Sequence, residues 1–386
     1  MQTAAISAKR NRLRAREAGC TLWAVRFFLS RRTPDAPIRP PRAPLARLAV
    51  PAVICLALAG CGSSSSSSSR STASSSTKAG QSSSTAAATP APAVAQLAAA
   101  ESPGVAQFPA ANGRSLEQLG KLVKSSVQLG AATGTFTPGT RRFAFALTAR
   151  SGQYVYAPTA IYLARTPTAP AKGPFVAPAD PMGVQPQYRS KQNSGPGGIQ
   201  AIYSVDLPVA HAGTYAILSL TRTGGSLIGA PGEIAVAASS PIPDIGQRPP
   251  AIATDTAATV HGDIALLTTR LPPEHMASVS FNQVLGKRPI ALLFSTPQLC
   301  VSRVCGPVTD VAVQLQHRFG NRITFIHEEV YVDNQPSRGL RPQLKAFHLQ
   351  TEPWLFAINR RGIIVARLEG AFGTTGLTQA LEAALR

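Results

Sequence analysis

Two cysteines five steps apart, in Cys300-Val-Ser-Arg-Val-Cys305, are the residues of this chain best suited to chemistry. Five residue steps can bend until the two Cα atoms stand ~5.5 Å apart, the separation a disulfide needs. The apolar run Pro289-Ile-Ala-Leu-Leu-Phe294 precedes the pair. After it, Val308, Val311, Ala312, Leu315 and Phe319 mark one face of a helix, with Pro307 suited to its first turn. Cys305 is therefore expected at a helix amino terminus, where free N–H groups and the helix dipole favour thiolate, and Arg303 adds positive charge if it points inward. On this reading Cys305 is the stabilised thiolate and Cys300 its partner. A structural disulfide stays open as another use of the pair, in a non-enzymatic cell-surface protein that binds another protein. A ring this short contributes only about 2 kcal/mol by loop entropy, which makes it an inefficient staple.

The elements that must position the pair follow from the patterning of the last 130 residues. Pro289 to Phe294 reads as a strand buried on both faces, Ile323 to Tyr331, Trp354 to Ile358 and Ile363 to Leu368 as further strands, and Thr374 as the cap of a final helix with apolar face Leu377, Leu381 and Leu385. Strand, helix, strand, a loop with a short helix, two strands and a helix make an α/β layer structure.

Over residues 262–386 the sequence resembles the thioredoxin-like superfamily. Cys305-Gly306-Pro307 is similar to the start of the thioredoxin Cys-Gly-Pro-Cys motif, and Thr351-Glu352-Pro353-Trp354 to Gly362 is similar to the family's cis-proline strand and hairpin. The spacing resembles membrane-tethered thioredoxin and redoxin relatives. The resemblance implies thiol–disulfide exchange on protein substrates, with Cys300 and Cys305 catalytic and Glu352 and Pro353 in the loop that receives the substrate chain. The departure is Val308, which stands at the family's second-cysteine position, so the partner lies upstream at Cys300. The copper-binding Sco-type branch is a lesser alternative, because its histidine place is occupied by Thr351 and His348 falls three residues early. The peroxiredoxin pattern fits less well again, with Pro297 where a Thr or Ser is needed.

Residues 114–245 carry a different period. Phe143 to Leu147, Tyr154 to Tyr156, Ile161 to Ala164, Ile202 to Leu207, Tyr215 to Leu220 and Ile234 to Ala237 are short, β-branched or aromatic runs separated by Gly, Pro and Asn clusters, the pattern of an antiparallel sandwich. His211-Ala-Gly213-Thr-Tyr215 resembles the corner of an immunoglobulin-like domain, where a Tyr hydroxyl bonds back to the backbone. The chain is thus expected to be multidomain, an all-β immunoglobulin-like sandwich followed by an α/β thioredoxin-like fold, joined by a linker over residues 246–261 that overlaps the Pro-rich stretch 241–258.

The amino-terminal residues read as an address. The 386-residue chain holds 38 Lys and Arg against 18 Asp and Glu, a net charge of +20, but residues 1–47 alone hold eleven basic and two acidic residues. The rest has no basic run, aromatic-interleaved patch or zinc-ligand spacing, so no nucleic-acid partner is expected. After the basic stretch, an apolar segment over 48–59 is too short to span a bilayer but suits a secretory signal. Leu58-Ala-Gly-Cys61 resembles a bacterial lipoprotein box, which implies lipidation at Cys61, removal of a leader over residues 1–60 and anchoring at the extracytoplasmic face of the cell membrane. Residues 61–113, opening with seven serines from Ser63 to Ser69, read as a disordered tether. No cofactor and no metal site are expected: His211, His261, His275, His317 and His327 show no ligand spacing and are read as surface or satisfied core residues, and Glu328-Glu329 as a solvated strand end or a general base.

Overall fold

The structure, a computed structural model, describes residues 92–193 and 195–386, which belong to one compact unit. The leader, the lipoprotein box with Cys61 and the tether up to residue 91 lie outside the described residues. Helices α1 (Pro92–Glu101) and α2 (Leu116–Gly120) come first, so part of the segment read as tether, residues 92–101, is helical. Ser115 starts α2 with a capping box: its hydroxyl accepts from the Gln118 N–H while the Gln118 side chain accepts from its own N–H. None of the described helices is long and apolar enough to cross a membrane.

Nine strands then build two facing sheets: β1 (Ser125–Ser126), β2 (Gln128–Ala131), β3 (Gly139–Thr148), β4 (Thr159–Ala164), β5 (Lys172–Val176), β6 (Ala179–Pro181), β7 (Ala201–Val209), β8 (Gly213–Thr223) and β9 (Ser226–Val236). One sheet runs β1-β9-β8-β4-β5 and the other β2-β3-β7-β6, with every pairing antiparallel except β1 with β9. Phe143, Phe145 and Leu147 alternate into the core between the sheets with Ile161, Leu207, Ile217 and Val236. The Tyr215 hydroxyl accepts from the His211 N–H at 3.1 Å, the backbone bond expected of that corner.

The second half contains α3 (Phe281–Val284), β10 (Ile290–Phe294), α4 (Cys305–Phe319), β11 (Thr324–Glu328), α5 (Pro342–Ala346), β12 (Trp354–Ile358), β13 (Ile364–Glu369) and α6 (Thr374–Leu385). Its sheet runs β11-β10-β12-β13, with β10 and β11 parallel and the other pairs antiparallel. All five residues of β10 are buried, as their continuous apolar run demands of a central strand covered on both faces. Thr374, expected to cap α6, is instead its first residue; Asp180 on β6 performs the capping, accepting from the N–H groups of Gly373 (2.7 Å), Thr375 (2.9 Å) and Gly376 (3.0 Å).

That cap is one of several bonds between the two halves. The Glu369 carboxylate accepts from the N–H groups of Gly134 and Thr135, and the Arg142 guanidinium donates to the carbonyls of Glu369 and Ala371. Ala144 on β3 and Ile202 on β7, with Met182 and Val184 just after β6, share one core with α4, α6 and the β10–β13 sheet. The segment 246–261, read as a linker, runs along the α/β half: Gly246 N–H bonds to Ile364, Ile364 N–H bonds to Gln247, and Thr254 exchanges bonds with Ser280 and Phe281.

Candidate active site

The turn between β10 and α4 is built by Cys300 N–H bonding to the Thr296 carbonyl (3.1 Å) and Arg303 N–H to the Cys300 carbonyl (3.1 Å). Arg303 adopts φ 59°, the left-handed region, and that reversal carries the chain back so that Cys300 lies over the first turn of α4. Cys305 is the first residue of the helix, as the sequence reading expected. Both cysteines are free thiols and both are buried, Cys305 completely and Cys300 at 6% exposure.

The two thiols are not equivalent, and their order reverses the expectation. Cys300 is lowered to about 6: the Cys305 thiol donates to it, the Ser302 hydroxyl 3.2 Å away adds a second bond, and the N–H groups of Cys305 and Val304 add more, against an opposing effect of burial. Cys305 is pushed well above its ordinary value by burial and then by donating to, and lying beside, Cys300. The thiolate is thus favoured first by the Cys305 thiol and only in lesser part by the N–H groups at the helix start, and it is favoured on Cys300 and not on the residue that begins the helix. Arg303 is exposed and is not among the groups that shift either thiol.

The Glu352 carboxylate completes the cluster, since one ligand-capable atom from each of Cys300, Cys305 and Glu352 lies within 4.8 Å of the others. Half-buried, Glu352 is raised by burial and then by the neighbouring Cys300. Its peptide bond to Pro353 is cis, and Pro353 is buried, its carbonyl accepting from Gly370 N–H at 2.8 Å. All four site residues singled out in the folded region thus meet at one place. His348, the histidine considered for copper, is exposed on the turn after α5 and does not belong to the cluster.

Sequence reasoning missed three contributors. Tyr331 sits near enough that, after burial, the charges of Glu352, Cys300 and Cys305 push its phenol up. The sandwich also reaches the site. A Cβ on Gly306 would stand 2.8 Å from the Gln192 carbonyl, so this glycine admits the sandwich loop against the first turn of α4. Gly370, at φ 69°, lies so close to the Ala132 carbonyl that a side chain there would collide with it. Beneath the helix runs a buried polar chain: Glu274 bonds His327 Nδ1 at 2.6 Å, His327 Nε2 meets the Ser295 hydroxyl at 2.8 Å, Ser295 meets Thr309 at 2.9 Å, and Thr309 donates to the Cys305 carbonyl at 2.8 Å. His327 is thus a satisfied core residue, as expected. Glu328 and Glu329 are not solvated; both are buried, Glu328 paired with Arg341 at 2.9 Å and Glu329 accepting from Thr269.

No known protein family matches the chain, and no curated protein matches it. Among solved structures it is similar to one assigned as a thiol:disulfide interchange protein, DsbE, from Chlorobium tepidum, at 15% identity and a TM-score of 0.27, covering 37% of this chain and 99% of that one.

Proposed function

We propose that this chain is an extracytoplasmic thiol–disulfide exchange protein whose α/β half, residues 262–386, is thioredoxin-like and whose preceding sandwich, residues 114–245, is immunoglobulin-like. The observation that carries the reading is the asymmetry of the pair: an unbonded Cys300 lowered to about 6 beside a fully buried Cys305 that is raised. A structural bridge has no need of such an arrangement, whereas exchange needs one thiol ionised near neutral pH and a second held back as thiol.

In the reducing direction the Cys300 thiolate attacks one sulfur of a substrate disulfide, forming a mixed disulfide and releasing the other substrate sulfur as thiolate. Burial contributes most to holding Cys305 protonated, but once Cys300 has lost its negative charge the added effects of donating to it and lying beside it are gone. Cys305 then gives up its proton, which Glu352, within the same 4.8 Å cluster, is placed to accept. Its sulfur attacks Cys300, closing the Cys300–Cys305 disulfide and releasing the second substrate sulfur, so that two electrons have passed to the substrate. The oxidising direction is the same sequence reversed. The reduction potential of the pair tests this: a value well above about −300 mV is expected, because a stabilised Cys300 thiolate favours the reduced form. A potential below about −300 mV, with no partner trapped on either single-cysteine variant, refutes the exchange reading.

The anchor belongs to the same proposal and rests on the Leu58-Ala-Gly-Cys61 box. Intact-mass analysis of the chain from its host is expected to show a lipid-modified amino terminus at Cys61, and Cys61→Ser to release the protein or leave the leader uncut. An unmodified mature terminus at another residue removes the membrane from this account.

A further inference from the structure

We propose that the groove between the sandwich and the Cys300 turn docks an apolar, neutral-to-basic polypeptide segment flanking the substrate cysteine; this deepens, and rests on, the exchange reading above. The groove, of about 480 Å³, is lined by Gly130, Tyr154 and Ile199 on the sandwich side and by Ser302, Val304 and Glu352 on the other. Glu352, which clusters with Cys300 and Cys305, is part of its lining, so the groove lies next to the pair.

Three observations select the occupant. Val301 is 94% exposed, an apolar side chain held in water on the turn that also supplies Ser302 and Val304 to the groove. Covering it stabilises a complex only if the partner presents apolar atoms there. Tyr154, at 36% exposure, presents an aromatic face on the opposite wall, a residue type that anchors protein contacts. The charge of the groove has one sign: no Lys or Arg lines it, while Glu352 does. Glu369, the remaining acid of the lining, is occupied by the N–H groups of Gly134 and Thr135. An acidic segment, or a small anionic thiol such as glutathione, brings a further negative charge with no cation to meet it, whereas an apolar or lysine-bearing chain does not. The shared core of the two halves holds both walls in place, so the groove is preformed.

The test is binding to the full chain carrying Cys300→Ser and Cys305→Ser, followed by fluorescence anisotropy with two short labelled peptides in extended, cysteine-free form. One is built of Ala, Val and Lys, the other of Ala, Val and Glu. The first is expected to bind about tenfold or more tighter than the second. Tyr154→Ala and Ile199→Ala, each added to that chain and each melting as the parent does, are expected to weaken it about fivefold or more. Equal binding of both peptides, binding of neither, or wall variants without effect overturns the docking proposal, as does self-association of the chain that Tyr154→Ala abolishes. Because the thiol-free chain needs no redox chemistry to bind, its result stands apart from the potential measurement: docking can fail while exchange survives, and the reverse.

Discussion

Cys300→Ser is expected to reduce exchange with a protein disulfide at least about a thousandfold, whereas Cys305→Ser is expected to stop at a mixed disulfide through Cys300. The expectation rests on burial and hydrogen bonding together. Cys300 keeps the only sulfur-bearing residue of the pair with any exposure, and it receives the donors that favour thiolate. At pH 7 a thiol lowered to about 6 is roughly nine-tenths ionised, against a few per cent for an ordinary cysteine. Alkylation with iodoacetamide as a function of pH resolves the two thiols separately. In Cys305→Ser the rate should rise with a midpoint near that of the parent Cys300, since a serine hydroxyl still donates to it. In Cys305→Ala the first and largest lowering interaction is lost, and the midpoint should climb. In Cys300→Ser the remaining Cys305 should react only at alkaline pH. A parent in which Cys305 alkylates first, or a Cys305→Ala variant with an unmoved midpoint, contradicts this assignment.

Which thiol is lowered was beyond the reach of the sequence for a definite reason. The apolar run 290–294 and the helical spacing from Val308 place the pair between β10 and α4, and burial obliges both elements to form there. The direction of a sulfur relative to the helix N–H groups depends on the turn between them, and that turn is set by Arg303 in the left-handed region, a conformation no residue type announces. The joining of the two halves left a fainter trace. Ala144 and Ala146 stand on β3 where a solvated strand face carries polar residues, and small apolar side chains at those places signal a second packed surface. The Pro-rich stretch misleads in the opposite sense: composition marks it as a linker, but its backbone groups at Gly246 and Gln247 are bonded at Ile364, a pairing that depends on three-dimensional proximity. Glu274 and His327 are 53 positions apart, so their contact has no spacing to betray it.

That buried pair should dominate the pH dependence of stability. Burial acts to depress His327, yet the Glu274 carboxylate, its hydrogen bond and the more distant Glu329 outweigh this and raise the imidazole to about 9. Glu274 is itself pushed up by burial but held below its ordinary value by the charge and hydrogen bond of His327. A histidine raised on folding stabilises the protein fully below its unfolded value of about 6.5, and the contribution is lost as pH rises through about 9. A depressed carboxylate behaves oppositely, contributing above its unfolded value of about 4.3 and losing it as pH falls. The pair is therefore worth most between about pH 4.5 and 6.5, and its contribution falls by about 3 kcal/mol across the alkaline side of that window. Glu328, pushed by burial up to about 7, adds a loss of the same sign at lower pH. Cys300 opposes it: a lowered thiol gains stability above about 6, up to the ordinary thiol range. The comparison is accordingly made in a Cys300→Ser background. There, the melting temperature should drop steadily from pH 6.5 to 9. Glu274→Gln, which keeps an acceptor for His327 Nδ1 but removes the charge, should cost about 3–5 kcal/mol at pH 6 and flatten that drop. A melting temperature constant from pH 6.5 to 9, or a Glu274→Gln variant that keeps the parent slope, would show that His327 is neutral in its core. The chain of bonds through Ser295 and Thr309 to the Cys305 carbonyl would then hold α4 without a charge.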